Sequence, residues 1–225
     1  PGLAKNDITR PRIARGWPSD EAGHGISSES SLAQCGISCI LTELAASGYK
    51  ASWKIYDAQN MVPQTRPRLY IVGIRCDLAS VEDFEWPELP NLHPKISDIL
   101  LTGSELERYR LTRDQWSAVS SSTFFEKHPE RRIPPVDGIC NTIRSSYRSG
   151  FRVFSQFVPL PSQEDSLIPY RFLTPRECAR LQGFPDWFKL SADDAPASHC
   201  LDELDAPQYH AVGNAVVPPV ISVIA

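Results

Sequence analysis

Apolar residues first fall into register at Ile37, Ile40, Leu41 and Leu44, the i, i+3, i+4, i+7 spacing of one helix face. The spacing predicts a helix over 31–47 with that face buried, ended by Gly48. Residues 51–58 read as a short strand, and the apolar run LYIVGI at 69–74 as a second, well buried one. Helix, strand, loop and apolar strand in that order suggest the edge of an α/β sheet. Residues 1–30, rich in Pro, Gly, Ser and charge, read as a loop or loose end.

The texture then changes. From 78 to 135 apolar runs are short and prolines frequent, as in an inserted, loop-rich module. Residues 139–158 hold two possible strands about a Ser149-Gly150 turn. A helix opens at Thr174, with Pro175 at its first position and Glu177 completing a T-x-x-E capping box. Cys178, Leu181 and Phe184 face inward, Arg176 and Arg180 lie one turn apart, and Gly183 with Pro185 ends the run. A last helix begins near Val217, and Gly213-Asn214 reads as a turn at its start that could offer N–H groups and an amide to a polar ligand.

The 225 residues suit one domain, or one with a small insertion. No run of about 18 apolar residues occurs that would span a membrane. Because the chain begins at Pro1, it is expected to be a piece of a longer protein. The six cysteines, at 35, 39, 76, 140, 178 and 200, form no CxxC pair, so they read as reduced thiols rather than a zinc site. A net charge of −4 argues mildly against nucleic acid. Local charge overrides it: Arg131, Arg132, Arg144, Arg148 and Arg152 face one acid, Asp137, while acids gather at 82–88 and 193–205.

Three constellations carry chemistry. Gln64-Thr65-Arg66-Pro67-Arg68 stands directly before the second strand, where one arginine could reach into a site while the other braces the loop. Residues 171–186 read RFLTPRECARLQGFPD, and residues 213–219 read GNAVVPP. Taken singly they are surface arginines, a packed helix and a plain turn. In this order they resemble motifs VIII, IX and X of the cytosine-5 DNA methyltransferase family, over about 31–75 and 139–225.

The resemblance implies the C-terminal part of a Rossmann-like, S-adenosylmethionine-dependent methyltransferase sheet with a small target-recognition domain inserted. Residues 1–77 and 171–225 would belong to the catalytic domain and 78–170 to the insert. It implies S-adenosyl-L-methionine as methyl donor and double-stranded DNA as partner, the target cytosine being flipped out of the duplex. Arg68 would contact that cytosine, and Arg66 would order the catalytic loop. Asn214 and Ala215 would help close the cofactor site. Thr142 and Arg144 would touch the DNA backbone. Gln64, Arg176, Glu177 and Arg180 would be structural. The family's Pro-Cys nucleophile and Glu-Asn-Val are absent, as is the Gly-rich cofactor loop. An N-terminal half, in the same chain or a separate subunit, is therefore an expected partner, and this chain alone is expected to be inactive. A non-catalytic DNA-binding relative, a split-enzyme subunit and a tRNA methyltransferase remain alternatives. The address would be nuclear for a eukaryotic source and cytoplasmic otherwise.

Overall fold

The computed structural model describes residues 31–78, 84–160, 168–190 and 201–225. The expectation for 1–30 lies outside them, as do the side chains of Cys35 and Cys200. Helix α1 (Ser31–Ala46) forms where the spacing puts it. It ends as Gly48 takes φ 82°, a conformation that glycine enters without a Cβ clash. Its apolar face is not buried, however: Ile40 is 46% exposed, and Ile37, Leu41 and Leu44 are half-buried.

Strands β1 (Tyr49–Asp57) and β2 (Pro67–Arg75) pair antiparallel, Trp53 opposite Ile71. The second strand is not well buried as expected, since Leu69 is 39% exposed. Among the described residues each of the two strands pairs only with the other, so the continuous apolar run of β2 has one neighbour and two partly open faces. The proline-rich stretch after them straps β1. Trp86 donates to Ser52 Oγ at 3.1 Å and packs 5.8 Å from the Tyr56 ring, whose hydroxyl donates to Pro87 O. Tyr56, Ala58 and Val62 form a small core with Val217 and Val220.

The loop-rich region holds two short helices, α2 (Arg113–Ser120) and α3 (Thr123–Lys127), each opened by a hydroxyl cap, Thr112 and Ser122. A larger core runs through Ile96, Leu111, Tyr147 and Phe157 into Leu173, Leu181, Tyr209 and Val212. It therefore joins the region before 170 to the segments after it.

The hairpin expected over 139–158 does not form. Residues 145–154 wind through turns, and only β3 (Phe157–Pro159) is extended, paired antiparallel with β4 (Tyr170–Phe172). The reason is a side chain from outside the segment. Arg132, 1% exposed, donates to Ser155 O at 2.6 Å, to Arg152 O at 3.2 Å and to Phe151 O. Those carbonyls have their partner without a strand ladder. Tyr147, fully enclosed, donates to Gln156 O at 2.5 Å and accepts from Leu173 N at 3.0 Å, pinning the other end.

Helix α4 (Pro175–Leu181) starts with the capping box in place: Thr174 Oγ1 accepts from Glu177 N at 3.1 Å, and Glu177 accepts from Thr174 N at 2.7 Å. Two further helices follow, α5 (Leu201–Asn214) and α6 (Pro218–Ile224). Helix α5 has Pro207 inside it and was not expected. Its presence places Gly213-Asn214 at the end of a helix rather than at the start of one.

Candidate nucleic-acid and cofactor interface

The strand entrance at 63–68 is the point where three distant segments meet. Its backbone zips to Cys140: Cys140 N donates to Pro63 O at 2.9 Å, and Thr65 N to Cys140 O at 2.8 Å. Gln64 has no exposure and uses both ends of its amide. Its Oε1 accepts from Ile143 N at 2.7 Å, and its Nε2 donates to Leu181 O at 3.2 Å. One side chain thus holds the backbone at Ile143 and the end of α4 in fixed relation.

Arg66 extends the same construction. It is 2% exposed and donates to Ile143 O at 3.1 Å, Gly213 O at 3.0 Å and Ala215 O at 2.8 Å. Two of these acceptors lie at the C-terminal end of α5, where the helix dipole is negative and a cation is favoured. Burial, and then the Arg68 charge, push its pKa down to about 10, which leaves it cationic at neutral pH. Its own N–H donates to Asp57 Oδ1 at 2.7 Å. Arg66 therefore braces three backbones, while Arg68 is exposed and makes one hydrogen bond among the described residues, to Pro67 O at 2.7 Å. Of the two arginines, Arg68 is the one available to a ligand.

The close approach of α5 to the backbone at Arg144-Ser145 requires Gly213. A Cβ there would sit 2.4 Å from Ser145 N and 2.5 Å from the Arg144 carbonyl carbon. Asn214 is exposed beside it, its Nδ2 3.3 Å from His210 Nε2, and Val216 is 58% exposed. The expected array of helix-start N–H groups is replaced by helix-end carbonyls, which Arg66 occupies. Ala215 is half-buried, and its carbonyl is one of them.

Thr142 Oγ1 donates to Thr65 O at 2.7 Å, so its proton is engaged within the chain. Arg144 is exposed, its guanidinium 4.9 Å from the Phe154 ring centre.

Glu177, without exposure, accepts from Arg171 Nη1 and Nη2 at 2.7 and 2.6 Å and from Leu101 N at 2.8 Å. Arg180 pairs with Asp186 at 2.7 Å and donates to Ile99 O at 3.3 Å. Arg176 is half-buried. Arg171 and Arg132 are the framework residues that spacing did not single out. Arg171 stood within the motif, six residues before Glu177; for Arg132 no local signal existed. Among the described residues no group of His, Cys, Asp and Glu could hold a metal ion, and no helix is long and apolar enough to cross a membrane.

The chain is similar to known proteins. A type II methyltransferase, M.DsaV of Dactylococcopsis salina, is 30% identical over 188 residues, covering 83% of this chain and 49% of the relative. M.Bsp6I of Bacillus sp. (strain RFL6) is 28% identical over 197 residues, covering 83% and 57%. The chain thus spans about half the length of the curated relatives it matches. Solved structures share the fold. A methyltransferase of Entamoeba histolytica superposes with a TM-score of 0.60 at 20% identity over 84% of this chain and 56% of that one. The S. pombe Dnmt2 methyltransferase does so at 0.57 and 18%, over 87% and 62%. The expected α/β methyltransferase fold is the one these neighbours have. The profile of the C-5 cytosine-specific DNA methylases matches residues 36–225, and the chain belongs to that family.

Proposed function

We propose that this chain is the part of a DNA (cytosine-5-)-methyltransferase that reads the duplex and closes the S-adenosylmethionine site. The observation that carries the reading is the convergence on Arg66. One buried guanidinium ties the strand entrance bearing exposed Arg68 to the recognition backbone at Ile143 and to the helix end beside Asn214. Residues 78–170 are the target-recognition segment, and 1–77 with 171–225 are assigned to the catalytic domain.

In this reading Arg68 meets the flipped cytosine, its fixed charge and forked donors suiting a carbonyl oxygen. Arg66 and Gln64 position Arg68 and the recognition segment and touch no substrate. Glu177 and Arg180 hold that segment to α4, with Arg176 a structural residue of the same helix. The exposed Asn214 amide beside exposed Val216 offers a donor–acceptor group and an apolar edge. That pairing fits one wall of a site for a ligand carrying both an amino acid and an adenine. When bound, S-adenosylmethionine supplies the methyl group. Arg144 meets the DNA backbone. No Pro-Cys occurs in the sequence, so methyl transfer needs a nucleophile supplied by a further segment.

The test is tritium transfer from labelled S-adenosylmethionine to DNA. The 225-residue chain alone should transfer none. Adding a second segment that carries Pro-Cys and Glu-Asn-Val should produce turnover, and Arg68→Ala in that assembly should lower kcat sharply with little change in DNA affinity. Transfer by the chain alone would refute the proposal. DNA binding that never yields turnover would favour a regulatory relative, and preferential binding of tRNA in competition with duplex DNA would favour a tRNA methyltransferase.

A further inference from the structure

Charge on this acidic protein is segregated. Residues 138–160 contain Arg144, Arg148 and Arg152 and no Asp or Glu, and Arg131 and Arg132 precede them. The structure sorts these arginines. Arg132 is buried against backbone carbonyls, and Arg148 lies half-buried with its guanidinium 4.7 Å from the Phe172 ring centre. Arg131, Arg144 and Arg152 are exposed, and among the described residues no acid pairs with any of them. Other arginines have one: Arg75 pairs with Asp77, Arg110 with Glu107 and Arg180 with Asp186.

Contacts also order the turn that carries Arg144 and Arg152 and tie it to Arg132, the neighbour of Arg131. The Arg132 guanidinium donates to the carbonyls of Phe151, Arg152 and Ser155, which fixes the backbone at Arg152 against the end of that side chain. The Phe154 ring lies over Gly150, where a Cβ would meet it at 2.0 Å, and Arg144 lies on that same ring. The turn is thus rigid and basic, with the Ser146 and Ser149 hydroxyls on exposed residues and Val153 69% exposed at its tip. A surface fixed before binding has little ordering entropy to lose on association.

We infer that Arg131, Arg144 and Arg152 form a phosphate-binding track for the backbone of duplex DNA, presented by Arg132 as a positioning residue. The inference rests on the DNA-reading role proposed above and extends it from Arg144 to a surface. Contacts to phosphate alone set register and affinity without base preference.

The experiment is anisotropy of a fluorescent duplex oligonucleotide titrated with the chain across a salt series. Each phosphate contact contributes about 0.9 to the slope of log affinity against log salt. Arg131→Ala, Arg144→Ala and Arg152→Ala should each flatten the slope by about that amount, and the triple variant by roughly 2.7. Over a fourfold rise in salt, the unaltered chain should lose roughly 40-fold more affinity than the triple variant. The losses should be equal on unrelated sequences, and Arg75→Ala, whose charge is already paired, should leave the slope unchanged. Binding by the unaltered chain with unaltered slopes in the three variants would overturn the track while leaving the DNA-reading role intact. Absence of duplex binding altogether would overturn both. Stronger displacement by tRNA than by duplex DNA of equal phosphate content would overturn the assignment to DNA.

Discussion

Replacing Glu177 should be the most damaging single change in the α4 framework, by a margin the structure sets. A capping residue alone is worth about 1 kcal/mol, and sequence spacing shows only that much. The carboxylate, however, has four partners: Thr174 N, Leu101 N and both terminal nitrogens of Arg171. Arg171 is 1% exposed and Glu177 is without exposure. Removing one member of a buried pair leaves the other's charge uncompensated, at about 3–5 kcal/mol. Two buried N–H groups lose their acceptor as well, at about 1–3 kcal/mol each, though such costs overlap at one site. Glu177→Ala should therefore cost about 5 kcal/mol, against about 1 kcal/mol for Thr174→Ala, which removes only the other half of the box.

Urea unfolding followed by tryptophan fluorescence measures the difference. With a slope near 2 kcal/mol per molar urea, Thr174→Ala moves the midpoint by about 0.5 M and Glu177→Ala by about 2.5 M. Should the alanine variant not fold, Glu177→Gln keeps an acceptor and loses the charge, and should fall between the two. Arg171→Met combined with Glu177→Gln should be less damaging than the sum of its parts, because the unpaired charge is gone. Equal midpoints for Glu177→Ala and Thr174→Ala, or strict additivity in the pair, would refute the argument that the buried ion pair governs this helix.

Four further outcomes follow from the same geometry. Gly213→Ala should destabilise by about 1–3 kcal/mol in the same urea assay, since its Cβ meets backbone rather than a flexible side chain. Gly36→Ala, with nothing within 4 Å, should instead raise helicity in circular dichroism and add up to about 1 kcal/mol. Burial pushes the Cys140 thiol up to about 12 from 9.0, and Cys178 is raised as well. In peptide mapping after iodoacetamide, Cys39 and Cys76 should label in the folded chain, and Cys140 and Cys178 only after unfolding. A thiol whose pKa is raised by folding ionises first in the unfolded chain. Its contribution is therefore complete below pH 9 and is lost as pH rises toward 12, so stability should decline over that interval. Early labelling of Cys140 would contradict the packing around Gln64.

What could be read from the chain beforehand divides by the range of the interaction. The start of α4 was legible because Thr174, Pro175 and Glu177 satisfy one another within a single turn. The two strands at 49–57 and 67–75 were legible as local apolar runs, though not their exposure, which depends on what covers them. Helix α5 was hidden by its own buried face. Asp205, Gln208, Tyr209 and Val212 have helical spacing and are all buried, but two of the four are polar and Pro207 interrupts them. The turns at 145–154 were misread as strands because the donor that satisfies their carbonyls is Arg132, which lies outside the segment.

The candidate site shows the same division. Gln64 and Arg66 stand out as a motif with Arg68, yet their partners lie 77 to 149 residues away, so spacing could not separate the arginine that braces from the one left exposed. Burial separates them. Gln64, Arg66, Glu177 and Gly213 are enclosed and hold backbones to backbones, whereas Arg68, Arg144 and Asn214 are exposed. It follows that the motifs mix two jobs that respond differently to substitution. Changing an enclosed member should lower the melting temperature and alter DNA binding as a consequence of unfolding. Changing an exposed member should leave the melting temperature in place and alter binding or turnover alone. A motif residue that moved both by the same proportion at temperatures well below melting would belong to neither class, and the separation by burial would fail there.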